Sequence, residues 1–166
     1  LFLHNITGFI VGTDFEQGGI TKNGSKMVNA VSNSTVPHIT VIVGASYGAG
    51  NYGMSGRAFG TKFTYIWPFS KIAVMGPSVM AGVMTIVGRG AAERRGIEFD
   101  EEADAQRAAF AEHWAEERSK GLYATSRVSD DGMIDPRDTR NVIAMSLSAC
   151  HNNSVKGTKE YGTWRM

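Results

Sequence analysis

Apolar positions along the chain change period several times, and each change predicts an element. Leu1-Phe2-Leu3-His4-Asn5-Ile6 reads as a short strand. Residues 7–19 hold glycines at 8, 12, 18 and 19 and read as a loop. Ile20, Met27, Ala30 and Val31 follow helical spacing, which predicts a helix over 20–31. Pro37 then introduces His38-Ile39-Thr40-Val41-Ile42-Val43, a run rich in β-branched residues that Gly44 closes, so a buried strand is expected there. The Gly- and Ala-rich stretch 44–60 predicts a tightly packed helix starting near Ala49. Residues 63–67 and 71–75 read as two strands around a turn at Pro68, and 80–87 as a short apolar helix. The order strand, helix, strand, helix, strand, strand, helix is an α/β pattern.

The second half differs in character. Residues 93–118 carry acidic groups at 98, 100, 101, 102 and 104 and read as a solvated helical arm, with Phe110 and Trp114 four residues apart on its apolar face. A contact arm to another subunit is the alternative. Asp135-Pro136-Arg137-Asp138 is a helix start: Asp135 can cap, Pro136 suits the first helical position, and Asp138 sits favourably against the helix dipole. Ile143, Leu147 and Cys150 share the face that follows, and residues 152–166 read as a surface tail.

Composition narrows the function classes. A chain of 166 residues is one domain's worth, and 42% hydrophobic with 20% charged residues argues against disorder. Lys plus Arg is 17 against 16 Asp plus Glu, too balanced for a general nucleic-acid binder. The single cysteine, Cys150, excludes an intrachain disulfide and a Cys-based zinc site, and His4, His38, His113 and His151 show no metal-ligand spacing. No metal is expected, and Met75, Met80 and Met84 read as core filler. No apolar run approaches the roughly 20 residues that span a bilayer, so no membrane partner is expected. A strand pattern beginning at Leu1 leads us to expect a preceding segment.

The segment Gly44-Ala45-Ser46-Tyr47-Gly48-Ala49-Gly50-Asn51-Tyr52-Gly53 is the one that could carry chemistry. Small residues after a buried strand allow a ligand to approach the backbone, and helix-start N–H groups stabilise negative oxygen. Gly44-x-Ser46-x-Gly48 matches a nucleophile elbow, for which Asp135 and His151 could complete a triad. Gly44, Gly48 and Gly50 resemble a dinucleotide loop, but without the G-x-G-x-x-G spacing or a ribose-binding acid. An oxyanion site built from backbone N–H groups, such as those of Ala49 and Gly50, is the third reading. Close helix–strand packing through Gly and Ala, with no chemistry, is the fourth.

Taken together, the segments resemble a known family. Asn5-Ile6-Thr7-Gly8-Phe9-Ile10-Val11-Gly12 resembles the N-x-P-G-F-x-x-G segment of biotin-dependent acyl-CoA carboxylases, with Thr7 in place of the usual Pro. Gly19-Ile20 followed by Gly24-Ser25-Lys26-Met27 resembles their G-I-x-x-x-G-A-K-M helix. Residues 36–43 and Ser46-Tyr47-Gly48-Ala49-Gly50-Asn51-Tyr52-Gly53-Met54 resemble the strand and glycine turn that follow. Trp67-Pro68 and Val74-Met75-Gly76 match the next two strands. Asp131-Gly132-x-Ile134-Asp135-Pro136-Arg137-Asp138-Thr139-Arg140 resembles the D-G-x-I-D-P-x-D-T-R signature, and Trp164-Arg165-Met166 the F-R-M ending. The chain is similar, over nearly its whole length, to the C-terminal half of the carboxyltransferase β subunit, and residues 1–166 are expected to be that one domain.

The resemblance implies a crotonase-like ββα spiral. It implies an enzyme that moves a carboxyl group from carboxybiotin, held on a separate carrier, to an acyl-CoA held mainly by the other half of the subunit. In the family the biotin ureido oxygen accepts hydrogen bonds from backbone N–H groups that align with Ala49 and Gly50. Carboxybiotin is thought there to release CO₂, leaving a biotin enolate that removes the substrate α-proton. Gly8 and Phe9 border the cleft, beside Tyr47 and Gly48. The chain has no biotin-carrier motif and no ATP-binding module, so biotin carboxylase and carrier partners are implied. A cleft shared between subunits implies a homo-oligomer, dimeric or hexameric. The turn Gly48-Ala49-Gly50-Asn51 resembles the methylcrotonyl-CoA branch, while Ser55, Phe69 and residues 77–80 differ from it. Another acyl-CoA, or a decarboxylase relative, therefore stays open. The compartment implied is the cytoplasm for a bacterial protein and the mitochondrial matrix for a eukaryotic one.

Overall fold

The computed structural model describes residues 1–159. A parallel sheet forms its first layer, ordered around one long central strand. Strand β1 (Phe2–Ile6) lies along one edge of β2 (Ile39–Tyr47), pairing Leu3 with Val41 and His4 with Ile42. The opposite edge is shared by two strands. β3 (Phe63–Ile66) pairs with the first half of β2, and β4 (Lys71–Ala73) with its end, from Ala45 to Tyr47. The turn between them hangs on one acceptor: the Ile42 carbonyl takes the Trp67 N–H at 3.0 Å and the Ser70 hydroxyl at 2.7 Å. A two-residue strand, β5 (Gly132–Met133), completes the sheet beside β3.

Seven helices surround the sheet among the described residues: α1 (Thr13–Gln17), α2 (Ile20–Asn33), α3 (Gly48–Gly53), α4 (Pro77–Arg95), α5 (Glu101–Ser119), α6 (Gly121–Ser126) and α7 (Thr139–Cys150). The strand at 38–43 is longer than its β-branched run suggests, continuing through Gly44 to Tyr47 because β4 pairs with its end. α1 lies inside the stretch expected to be loop. α2 turns Val28 and Val31 inward, with Gly24, while Met27 and Ala30 are exposed, so its buried face is rotated from the expected one. Met84 is likewise exposed, not core.

The charged arm is two helices. Gly96 ends α4 in a left-handed conformation at φ 64°, which suits a residue without Cβ. Asp100 then caps α5, its carboxylate accepting the Ala103 N–H at 2.9 Å. The buried face of α5 is Asp104, Ala111, Ala115 and Ser119 against its neighbours, whereas Phe110 is exposed and Trp114 lies under the Arg118 guanidinium at 3.8 Å. Small residues win this face because the helices pack closely. α7 follows a 3-10 turn at Pro136–Asp138 that Asp135 caps, as its sequence implies. Its inward residues are Val142, Ile143 and Ser146, and Leu147 points outward. The segment after α7 is tied down by Thr158, whose hydroxyl donates to the Asn33 carbonyl at 2.6 Å. Trp164-Arg165-Met166 lies outside the described residues.

Ile42, Ile66 and Ala124 form the buried centre, with Ile72 and Met133 packed on it. That centre holds the strand ends from which the glycine turn projects.

Candidate active site

A break in the β1–β2 ladder builds the site. His4 pairs with Ile42, yet Ile6 pairs with Ser46, so β2 holds extra residues against β1. Asn5 fills this bulge. Its Oδ1 accepts the Ala45 N–H at 3.3 Å and occupies the space of a Gly44 side chain, since a Cβ there would stand 2.3 Å away. The bulge brings Ile6 beside α3. A Cβ on Gly50 would stand 2.4 Å from Ile6 Cγ2 and 3.7 Å from Gly8 Cα. Only glycine permits this approach.

α3 begins at the C-terminal end of β2. Gly48 starts it with φ 58°, beneath the Val74 carbonyl, where a Cβ would be 2.9 Å from oxygen. The first N–H groups of a helix have no partner within it, so those of Ala49 and Gly50 can serve an acceptor at this end. Ala49 is exposed and Gly50 buried.

Beside this turn is an apolar cavity of about 290 Å³, lined by Phe9, Ile10, Ile20, Gly24, Val28 and Ala49 among others. That is near the lower end of about 300–1,000 Å³ for small-molecule sites. Phe9 forms one wall, its ring held between Gly24 and Gly53. Glu16 is the one acidic residue of the lining, and no histidine, lysine or arginine lines it. The arrangement therefore offers electrostatic chemistry, with backbone donors beside a mostly apolar surface and Glu16 as the one charged group of the lining.

Of the residues singled out from sequence, Gly8, Phe9, Ala49 and Gly50 converge here. Tyr47 faces elsewhere, its ring 3.9 Å from where a Gly76 Cβ would stand. Gly48 supports the turn from below.

The nucleophile-elbow reading is overturned. Ser46 lies within β2 and is fully buried, not on an exposed turn. Its Oγ is 2.9 Å from His4 Nδ1 and 2.8 Å from Asn51 Nδ2. Asp135 instead chelates Arg137, whose guanidinium and N–H hold its carboxyl down at about 2, and His151 is exposed at the end of α7. Arg57 pairs with Asp131 at 3.1 Å. His38 is buried between Ser34 and Ser55 as a structural residue. Burial pushes the pKa of both His4 and His38 down. Sequence reasoning missed His4, Ile6 and Asn51. The alternation of β1 places His4 and Ile6 on one face, and nothing else in the sequence marks them.

Residues 1–162 match the carboxyl transferase domain family. The chain belongs to that family.

Its relatives agree in order and extent. A probable biotin-dependent acyl-coenzyme A carboxylase β2 subunit of Mycobacterium tuberculosis is 55% identical over this whole chain, which covers 31% of that protein. A probable mitochondrial methylcrotonoyl-CoA carboxylase β chain of Drosophila melanogaster is 50% identical, with 28% of its length covered. Among solved structures, the geranyl-CoA carboxylase β subunit of Pseudomonas aeruginosa superposes with a TM-score of 0.84 at 39% identity, covering 99% of this chain and 31% of that one. The chain thus spans about a third of the length of the curated relatives it matches. The carboxyl transferase fold here is the crotonase-like α/β arrangement that the sequence motifs imply.

Proposed function

We propose that this carboxyl transferase domain belongs to a biotin-dependent acyl-CoA carboxylase and that the N–H groups of Ala49 and Gly50 receive the ureido oxygen of biotin. The observation that carries this reading is the position of Ala49. It sits in the first turn of α3 and on the wall of the Phe9 cavity, so N–H donors and an apolar surface meet at one place. Biotin has that same pairing of a polar ureido oxygen and an apolar ring system, and the residues present suit it. In its N-carboxylated form it would supply the carboxyl group to be transferred.

The domain's own contribution is to orient and to stabilise charge. Donors aimed at a developing negative oxygen are worth about 3 kcal/mol or more each, because they need no reorganisation as charge appears. The Phe9 ring sets apolar surface beside the donors, and a lower local dielectric strengthens those bonds. Gly8 and Gly50 keep the two backbone segments close enough to form one surface. In this reading the acyl-CoA is bound mainly by the other half of the subunit, biotin carboxylase and carrier partners supply carboxybiotin, and the subunits assemble as a homo-oligomer. One relative, the transcarboxylase 12S subunit, is described as a hexamer. Among the described residues no helix is long and apolar enough to cross a membrane. The fly and Arabidopsis thaliana relatives are named mitochondrial, in line with a matrix location for a eukaryotic protein.

The test uses the assembled enzyme that carries this chain, free biotin, and a panel of malonyl-, methylmalonyl- and methylglutaconyl-CoA. Biotin-dependent loss of the carboxyl group from one of them is expected, and it names the substrate branch. Gly50→Val is expected to abolish that activity by pushing the turn away from Ile6. A fully active Gly50→Val enzyme would overturn the role of the turn.

A further inference from the structure

His4 is fully buried and joins the end of β2 to the C-terminal end of α3. Its Nε2 lies 2.6 Å from the carbonyl of Met54, the residue that ends the helix, so Nε2–H donates there. Nδ1 is then the acceptor, and it takes the Ser46 hydroxyl at 2.9 Å. The Ser46 oxygen in turn accepts the Asn51 side-chain amide at 2.8 Å. Asn51 directly follows Gly50. Its other end is fixed too: the Gly56 N–H donates to the Asn51 carbonyl at 2.8 Å, and a Cβ on Gly56 would stand 1.8 Å from Asn51 Oδ1. One chain of hydrogen bonds therefore runs from the Asn51 side chain, next to Gly50, through Ser46 and His4 to the Met54 carbonyl that follows the helix.

The clamp matters because α3 has six residues. A helix this short does not hold itself, since nucleation is unfavourable and few intrahelical bonds offset it. Outside contacts set its aim. β1 supplies them twice, with Ile6 against Gly50 by packing and His4 by polar contact. A neutral imidazole suits the place, because it is donor and acceptor on opposite sides of one rigid ring.

We infer that His4 is a positioning residue for the carboxyl-transfer site, holding the N–H groups of Ala49 and Gly50 in line through Ser46, Asn51 and Met54. This rests on the oxyanion role proposed above for those two groups. His4 touches neither substrate nor biotin, and it acts on rate through the aim of the turn.

The experiment compares His4→Phe, which keeps a ring and loses both bonds, with His4→Gln, which keeps a donor and an acceptor. Each is made in the assembled enzyme and assayed for biotin-dependent decarboxylation with free biotin. His4→Phe is expected to lower kcat roughly 10- to 100-fold, the scale of a misplaced donor, with KM for the acyl-CoA unchanged. His4→Gln is expected to recover most of the loss. Asn51→Leu should give a similar loss, and the double variant no further one, since the two act through one network. An unchanged kcat in folded His4→Phe enzyme overturns the inference, and so do losses that simply multiply. If His4→Phe does not fold, Ser46→Ala, which removes a single hydroxyl, is read the same way. Ala49→Pro separates the two levels. If it is inactive while the His4 and Ser46 variants are normal, only the positioning role falls. If it is fully active, the donor role itself falls, and the positioning role with it.

Discussion

The ring of Phe9 lies so close to Gly24 that a Cβ on Gly24 would stand 2.9 Å from Phe9 Cε1. Two segments far apart in character, a glycine loop and a helix, are thereby joined into one wall of the apolar cavity beside Ala49.

Gly24→Ala tests that wall. Alanine favours a helix interior over glycine by up to about 1 kcal/mol, so the fold should hold. The ring must swing away, because it is the movable end of a side chain. The expected outcome is a raised KM for free biotin with an unfolding midpoint near that of the wild type, measured by steady-state kinetics and thermal denaturation.

Ala49→Pro removes one N–H donor and adds no bulk to the interior, since Ala49 is exposed in the first turn of α3, where proline's fixed φ is tolerated. A loss of about 10²–10³ in kcat is expected for one missing oxyanion donor. Circular dichroism unchanged beside that loss would assign it to the donor and not to unfolding.

Acid should destabilise the domain in a defined window. Burial lowers the pKa of His4 and His38 below 6.5. As pH falls through 6.5 the unfolded chain takes up protons that the folded one refuses, so stability drops until the folded-state values are passed. Asp130 works the other way: burial raises its pKa, so folding binds a proton above 3.8 and acid favours the native state there. Unfolding midpoints measured between pH 7 and 5 are expected to fall, and the slope to lessen in His38→Gln.

A fluorophosphonate probe is expected to leave the protein unlabelled, because Ser46 is fully buried between His4 and Asn51. Labelling that vanishes in Ser46→Ala would reinstate a serine nucleophile.

Much of this was legible from residue order. The β-branched run before Gly44, the Pro68 turn, and Asp135 before Pro136 each act locally, through backbone preference and capping, and each lies where its pattern puts it. The motifs from Asn5 to Gly12 and from Ser46 to Met54 were enough to point to the carboxyl transferase family, since family motifs record chemistry that no single period shows.

Other features were set only by packing. The inward face of α2 is Gly24, Val28 and Val31, not Met27, because Phe9 must lie on Gly24. The buried face of the arm is Asp104, Ala111, Ala115 and Ser119, not Phe110 and Trp114, because small residues let α5 pack closely against its neighbours. The β1–β2 bulge is likewise invisible in sequence. It exists because Asn5 fills the space over Gly44, and it is what sets Ile6 against Gly50 and allows His4 to reach Ser46. A local pattern determines which elements form. Contacts across tens of residues determine which atoms meet, and the donors of this site are aimed by contacts of that second kind.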